Sequence, residues 1–333
     1  MFMINFGTIG TSWITDEFIQ TAKKNEKFKI NAIYSRDLEK ARLFAEKHGA
    51  EKYFDDLEEM AETSGINAVY IASPNSFHCR QAKFFLQKGI HVICEKPIAS
   101  NSAELNEMAV AAKENGVVLM EAFKSILTPN FDIIEKNIGK IGTIRTVYIN
   151  FSKYSSRYDA YKDGKNVNTF NIDFSNGALM DLGVYCVYPV IRLFGMPQKI
   201  NAQATFLESG VDCQGNVLFK YDTFNAVISY SKVSTSHIES EIQGENGTIL
   251  IDNISVPEKA VIKYRNGTEE DISVPQEKAH MIYEINEFIN CVLYKKEPTK
   301  NTLELSVNVM QCMDKIRNEI GLVYSADNLK IID

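Results

Sequence analysis

The feature that most constrains this chain is an alternation within its first 123 residues. Short apolar runs at Met3–Ile9, Lys29–Tyr34, Ala68–Ala72, His91–Cys94 and Val117–Glu121 are separated by stretches of helical periodicity. The helices read from the glycine turn to about Lys24, then Leu38–His48, Asp56–Thr63, Phe77–Gln87 and Ser100–Asn115. Antiparallel neighbours need only a tight turn, whereas parallel strands need a crossover of a dozen residues or more, usually a helix. Strands this short, joined by helices, therefore predict a parallel, doubly wound α/β sheet.

The first crossover carries chemistry. Gly10-Thr11-Ser12-Trp13-Ile14-Thr15 lies between the first strand and its helix, which is the phosphate-binding start of a Rossmann dinucleotide fold. Gly10 can fill the tight-turn position of the fingerprint. Ser12 stands where a second glycine lets pyrophosphate approach the backbone, and Thr15 where a third permits close helix–strand packing. Gly7 offers another frame. Gly10, Thr11, Ser12, Trp13 and Ile14 are the expected cofactor contacts. About twenty residues on, where the adenosine ribose is read, the second strand ends in Ser35-Arg36-Asp37. A hydroxyl beside a guanidinium suits a 2′-phosphate, which favours NADP over NAD, with NAD still possible. Asp37 reads as the N-cap of the next helix.

Two more strand ends fall on the same edge. Ser73-Pro74-Asn75 follows one strand, with His78 able to hydrogen-bond within that loop. Glu95-Lys96-Pro97 follows another, so Ser73, Pro74, Asn75, His78, Glu95 and Lys96 are expected cofactor contacts as well. A lysine held there can bind or protonate a substrate oxygen, and partial burial or a nearby cation would lower its pKa. The bland alternative is a solvated lysine at a strand end. Pro97 removes a backbone donor and permits a cis bond.

After Phe123 the pattern changes, so domains are expected at 1–123 and 124–333. A helix near Asn130–Asn137 leads into strand-like runs at Thr143–Phe151, Gln198–Leu207, Asn216–Tyr221, Phe224–Lys232, His237–Gln243, Thr248–Asp252, Ala260–Arg265 and Glu269–Val274. Asn246-Gly247 and Asn266-Gly267 are hairpin signals. The second domain should thus be α+β with a large, mostly antiparallel open sheet, one face of which is either solvated or paired with a second subunit. Met281–Tyr294 and Leu303–Ile320 read as amphipathic helices. Within Asn176–Tyr185, Asp181 and Tyr185 are four apart and share one face if helical. Gly177, Ala178 and Gly183 would let such a helix pack closely, and the alternative is a packed helix with a core tyrosine. The preceding Lys153–Phe174 reads as a long polar loop, and Arg157, Tyr158 and Asn168 within it are candidate substrate contacts.

Composition narrows the function classes. The 333 residues carry a net charge of −7, which argues against nonspecific nucleic-acid binding. Six scattered cysteines and five histidines show no zinc spacing, so no metal site is expected, and buried thiols in a reducing cytoplasm are. No apolar run reaches membrane-spanning length, so no membrane partner is expected.

Taken together, the turn at Gly10, Ser35-Arg36, Pro74-Asn75 with His78, Glu95-Lys96-Pro97, Glu121-Ala122-Phe123 and Gly177-Ala178-Leu179-Met180-Asp181-Leu182-Gly183 resemble the Gfo/Idh/MocA oxidoreductases. Tyr185 stands where many members have histidine. This resembles the branch of dimeric trans-dihydrodiol dehydrogenase and NADP-dependent xylose dehydrogenase. The resemblance implies a Rossmann domain for NAD(P) and a C-terminal domain for substrate and subunit contacts, giving a homodimer or homotetramer through the C-terminal sheet. It also implies Lys96 and Tyr185 as the proton-handling pair, with Asp181 orienting substrate or Lys96. The expected substrate is a sugar, polyol or cyclic diol whose secondary hydroxyl exchanges a hydride with nicotinamide. The alternatives are a non-catalytic NADP-binding regulator, argued for by the eroded glycine loop, or an enzyme that keeps and recycles its nucleotide.

Overall fold

The computed structural model of the protein describes residues 3–165 and 167–328. In chain order its elements begin with β1 (Ile4–Ile9), α1 (Trp13–Ala22), β2 (Phe28–Tyr34), α2 (Leu38–His48), β3 (Lys52–Phe54) and α3 (Leu57–Thr63). There follow β4 (Ala68–Ile71), α4 (His78–Gln87), β5 (His91–Glu95), α5 (Ser102–Glu114) and β6 (Leu119–Ala122). Next come α6 (Pro129–Asn137), β7 (Ile144–Ser152), α7 (Ser156–Lys162) and α8 (Val184–Phe194). Seven strands succeed them: β8 (Lys199–Phe206), β9 (Asp212–Lys220), β10 (Asn225–Ser231), β11 (Ser240–Gly244), β12 (Gly247–Ile251), β13 (Ala260–Tyr264) and β14 (Glu269–Asp271). Two helices, α9 (Met281–Tyr294) and α10 (Leu303–Ile320), come last.

The chain forms two compact units, Met1–Phe123 with Ala279–Leu303, and Lys124–Lys278 with Glu304–Asp333. It therefore passes between units three times, where the sequence reading has one passage at 123/124. The cause is α9. Its apolar positions Met281, Ile285, Phe288, Ile289 and Val292 follow helical spacing and join the core of β1, α1 and β2, where the Phe6 and Phe288 rings lie 5.8 Å apart.

In the first unit all six strands are parallel, in the order β3-β2-β1-β4-β5-β6. The order reverses between β1 and β4, and ligands of such sheets bind outside the carboxyl strand ends at that switch point. The loops after β1, β2, β4 and β5 all leave from that edge. β3 escapes the sequence reading because only Phe54 of its three residues is buried, so no apolar run marks it.

The second unit holds an eight-stranded sheet ordered β14-β13-β12-β11-β7-β10-β9-β8, antiparallel except for β7 with β10. Hairpins form at both Asn-Gly signals, and Gly267 takes the left-handed backbone that its turn needs (φ +86°). One face is buried and carries α8 across β7 and β10. On the other face the register lines up Leu218, Val227, Tyr148, Glu241, Leu250 and Val261 in one row across six strands, all at least partly exposed, with the Glu241 carboxylate interrupting the apolar side chains. The segment read as a loop, 153–174, instead contains α7 and 3-10 turns at Asn168–Phe170 and Ile172–Phe174. No residue of α7 is buried, so it has no apolar stripe to read. Among the described residues, Ile172–Phe194 is the one helical stretch long and apolar enough to cross a membrane, and 67% of its apolar window is buried inside the protein, as in a core helix.

Candidate active site

The turn after β1 needs glycine at one position. Gly10 has φ +107°, and a Cβ there would stand 2.8 Å from the Ala72 carbonyl oxygen. Gly7 lies inside β1, so the frame of the turn is that of Gly10. Ser12 occupies the N-cap of α1 with extended backbone, yet its side chain makes no capping hydrogen bond. The first-turn amides of α1 are thus not capped by Ser12, and a helix start of this kind favours an anion. Thr11 is half-buried, Trp13 is exposed, and Ile14 packs on the core of the unit. Thr15 is fully buried where the fingerprint has its third glycine, so the close packing survives with a side chain in place. These residues fit the pyrophosphate of a dinucleotide.

At the end of β2, the Ser35 amide donates to Phe54 O (3.1 Å), and its hydroxyl accepts from the Asp37 amide (3.3 Å). Asp37 caps α2 through the Lys40 amide and pairs with the Lys40 ammonium at 3.2 Å. Hydrogen bonding to the Lys40 amide and ammonium holds its carboxyl below the usual range. Arg36 is exposed beside them.

The Lys96 loop is fixed from three sides. Glu95 accepts from the fully buried Tyr70 hydroxyl (2.5 Å), and the Tyr70 ring stacks on Phe18 of α1 at 3.8 Å. His78, also fully buried, sets Nδ1 3.0 Å from Pro97 O and Nε2 2.8 Å from Ser73 O. Burial lowers the His78 pKa against the two carbonyl contacts that raise it, and a neutral ring donates to one of the two oxygens while the other nitrogen only packs against its carbonyl. His78 thus braces the cofactor loops from behind. Buried Glu121 accepts from the Ile98 amide (3.1 Å), and the Asn301 side chain donates to Glu121 O (2.6 Å). The Lys96–Pro97 bond is cis, and Lys96 itself is half-buried. In the neighbouring loop, the Ser73 hydroxyl donates to Gln81 (2.6 Å), while Pro74 leads into a 3-10 turn, Asn75–Phe77, in which Asn75 is buried.

In the second unit, Asp181 lies in a π-helical turn, Leu179–Gly183, that runs directly into α8. Such wide turns recur at functional sites. Asp181 and Tyr185 are both half-buried while Gly183, Val184 and Cys186 are fully buried, so the two share the accessible side. The Tyr185 ring meets Phe151 edge-on at 5.4 Å. Pro189 has no amide to offer the Tyr185 carbonyl one turn back. Asp181 pairs with the ammonium of Lys232, whose side chain is 4% exposed. Lys232 lies 5.9 Å from the Phe170 ring centroid, and Phe170 packs against Tyr158 and Tyr161. Phe170 and Tyr161 also line an open cavity of about 310 Å3. Tyr158 is thereby connected to the Asp181 site through Phe170. Arg157 and Asn168 are exposed, and among the described residues neither bonds to Asp181, although Asn168 O accepts from the Asn176 side chain (3.2 Å).

A fully buried acid holds the π turn from behind. Asp212 Oδ2 accepts from the Leu179 amide (2.7 Å). Its other oxygen stands so close to Gly177 (φ +144°) that no Cβ fits there. Burial raises the Asp212 carboxyl to about 7, outweighing the hydrogen bonds that oppose it. Tyr324 donates to Asn176 O (2.9 Å), three residues ahead of that turn. The sequence gives no site role to Lys232, Asp212, Tyr70 or Tyr324. Each acts on a residue far along the chain, and the only local sign is a charged or polar residue at the edge of an apolar run. Among the described residues, no three His, Cys, Asp or Glu side chains are grouped for a metal ion.

Residues 4–123 match the model of an oxidoreductase family with an NAD-binding Rossmann fold, Gfo/Idh/MocA, and residues 137–250 match the Gfo/Idh/MocA C-terminal domain. Scyllo-inositol 2-dehydrogenase (NADP(+)) IolU of Bacillus subtilis is 49% identical over 98% of this chain and 99% of its own. Trans-1,2-dihydrobenzene-1,2-diol dehydrogenase of Xenopus tropicalis is 29% identical over 89% and 91%. The fold matches the 3-ketoreductase KijD10 of Actinomadura kijaniata, crystallised with NADP and TDP-benzene (TM-score 0.86, 22% identity, 96% and 98% covered). With both halves matched and a near full-length relative at this identity, the chain belongs to the Gfo/Idh/MocA family of oxidoreductases.

Proposed function

We propose that this protein is an NADP-dependent dehydrogenase that oxidises a secondary hydroxyl of an inositol, a sugar or a related polyol or cyclic diol. The observation that carries this reading is the 49% identity, along nearly the full length of both chains, with an NADP-dependent inositol dehydrogenase, in a chain that carries Lys96, Asp181 and Tyr185. Bound NADP supplies the hydride acceptor. The protein handles the proton and the position of the alcohol. Lys96 Nζ donates to the substrate oxygen, and Tyr185, as a phenolate that the ammonium charge stabilises, takes the hydroxyl proton on Oη, returning it in the reductive direction. Asp181, held by Lys232, orients the substrate, and Tyr158 with the 153–174 segment shapes its pocket. Arg157 and Asn168 take part at most through polar contacts from the exposed side of that segment. In the first unit, Gly10, Thr11, Ser12 and Trp13 receive the pyrophosphate, and Ser35 with Arg36 receives the 2′-phosphate. Ser73, Pro74, Asn75 and Glu95 border the nicotinamide end.

The test is NADP reduction by scyllo-inositol and a panel of inositols, sugars and diols. Tyr185→Phe and Lys96→Met should each lower kcat by about 10²–10⁴-fold. Full turnover in both variants, on a substrate the wild type oxidises, would remove these roles. No turnover with any polyol would remove the substrate class.

The exposed row on the sheet suggests the assembly. Leu218, Val227 and Tyr148, continued beyond Glu241 by Leu250 and Val261, form a band that a second copy can cover, and we assign a homodimer or homotetramer through this face. Light scattering should show that Leu218→Glu lowers the mass of the particle.

A further inference from the structure

We propose that Arg80 is a second arm of the nucleotide site, binding the 2′-phosphate of NADP jointly with Arg36, with Phe77 as the platform for both guanidiniums. This assignment rests on the NADP reading above. Arg36 follows β2, whereas Arg80 is in the first turn of α4, 44 residues on. Nevertheless, both guanidiniums come to one ring. Arg36 Cζ lies 5.7 Å and Arg80 Cζ 5.8 Å from the centroid of Phe77. Phe77 is half-buried and both arginines are exposed.

Two of the nearby carboxylates are already engaged. Asp37 caps α2 and pairs with Lys40. Asp56 caps α3 through the Glu59 amide at 2.8 Å. Among the described residues neither Arg36 nor Arg80 forms an ion pair. Two guanidiniums drawn to one ring repel each other, and a phosphate dianion converts that repulsion into two charge-assisted contacts.

Both charges are also felt at the end of β2. Both guanidiniums lower the pKa of the half-buried Tyr34 hydroxyl, more strongly than Asp56 and Asp55 raise it, although burial keeps the net shift upward. Tyr34 is the last residue of β2, the strand whose end reads the adenosine ribose. Stacking on Phe77 holds each arginine in place, so less conformational freedom is lost when the phosphate arrives.

The experiment titrates the full-length protein, freed of nucleotide, with adenosine 2′,5′-bisphosphate, adenosine 5′-monophosphate, NADPH and NADH. Arg80→Ala should weaken the bisphosphate and NADPH by about tenfold or more, and leave the monophosphate and NADH within about twofold. An Arg80→Ala protein that binds the bisphosphate like the wild type, while Arg36→Ala loses it, overturns the proposal and leaves the NADP reading standing. Equal weakening of all four nucleotides also overturns it, because Arg80 would then serve a part they share. A wild type that binds NADPH no better than NADH removes the NADP reading itself, and Arg80 with it. Since Arg80 is exposed, unchanged melting should accompany each result.

Discussion

The two units arrange their functional side chains in different ways. In the first, the groups at the ligand edge come from short stretches that also carry the local structure: the turn at Gly10, the cap at Asp37, and the Glu95-Lys96-Pro97 loop. In the second, Asp181 depends on Lys232, fifty-one residues on, and the turn that carries it depends on Asp212 and Tyr324. A nucleotide is bound mostly by backbone and helix ends, which local sequence can specify. A substrate pocket on a sheet is built from side chains brought together by strand pairing. The glycine turn and the Asp37 cap should tolerate distant substitutions, whereas the Lys96 loop, braced by Tyr70, His78 and Glu121, shares the dependence of the second unit on side chains far along the chain.

The strongest test of this contrast is the buried pair. Lys232 is almost fully enclosed, whereas a third of the Asp181 side chain is exposed. Removing the carboxylate withdraws the counter-charge from a buried ammonium. Removing the lysine leaves an acid that water can still reach. Asp181→Leu should therefore cost about 3–5 kcal/mol of stability, and Lys232→Met distinctly less. The double variant should recover much of the loss, while turnover stays low in all three. Urea denaturation with parallel rate measurements reads this. Equal costs, or no recovery, would mean that the pair is not the organising contact of the second site.

Next in size are the two strained glycines. Gly10→Ala and Gly177→Ala each force a side chain into left-handed backbone against a close neighbour, at about 1–3 kcal/mol. Their functional effects should divide by unit. Gly10→Ala should abolish NADPH binding. Gly177→Ala should leave NADPH binding intact and lower kcat by displacing Asp181 and Tyr185. If Gly177→Ala weakened NADPH as much as Gly10→Ala does, the division of labour between units would fail.

What the sequence made legible follows the same division. The parallel sheet, its glycine turn and the strand-end lysine could be read because period, turn residue and motif coincide within a few residues. The Glu121-Ala122-Phe123 motif could be seen but not interpreted: its acid holds the Ile98 amide behind the Lys96 loop. Lys232 could not be recognised as part of a site, since a lysine after an apolar strand ordinarily marks its exposed end. Asp212 was hidden because the run was read from Asn216, four residues inside the real strand. The assignment of α9 to the first unit was equally closed to inspection. Its stripe shows that the helix is amphipathic, and not which core receives it.

The buried titratable groups sharpen the comparison through pH. In the first unit, burial lowers the pKa of His78 and His91, so the unfolded chain binds more protons as pH falls. Their contribution is intact above the ordinary histidine pKa and is lost as pH drops below it. In the second unit, Asp212 at about 7 titrates above its unfolded value of 3.8, so the folded chain binds the extra proton. That contribution is present at low pH and is lost as pH rises from about 4 to about 7. Asp212→Asn keeps an acceptor for the Leu179 amide and should remove up to about 1.4 kcal/mol per pH unit of slope in this window. Stability measured from pH 4 to 8 should therefore rise at its alkaline end relative to the wild type. A variant with the wild-type slope would place the proton elsewhere.

The smallest effect belongs to Asp37, and it tests whether the first site is as local as its sequence suggests. The carboxylate sits next to Arg36, so its removal could strengthen the hold on a 2′-phosphate. Lys40, however, already engages it through both its amide and its ammonium. Asp37→Ala should then act as a cap loss alone, lowering the melting temperature by about 2 °C. The ratio of NADPH to NADH affinity should stay within about twofold of the wild type, since a neutralised charge exerts little field. A ratio that moved toward NADPH would show the carboxylate to be competing with the phosphate for Arg36. A ratio that moved toward NADH would be the harder result, because removing an anion should never weaken the hold on a phosphate unless Asp37 also positions Arg36.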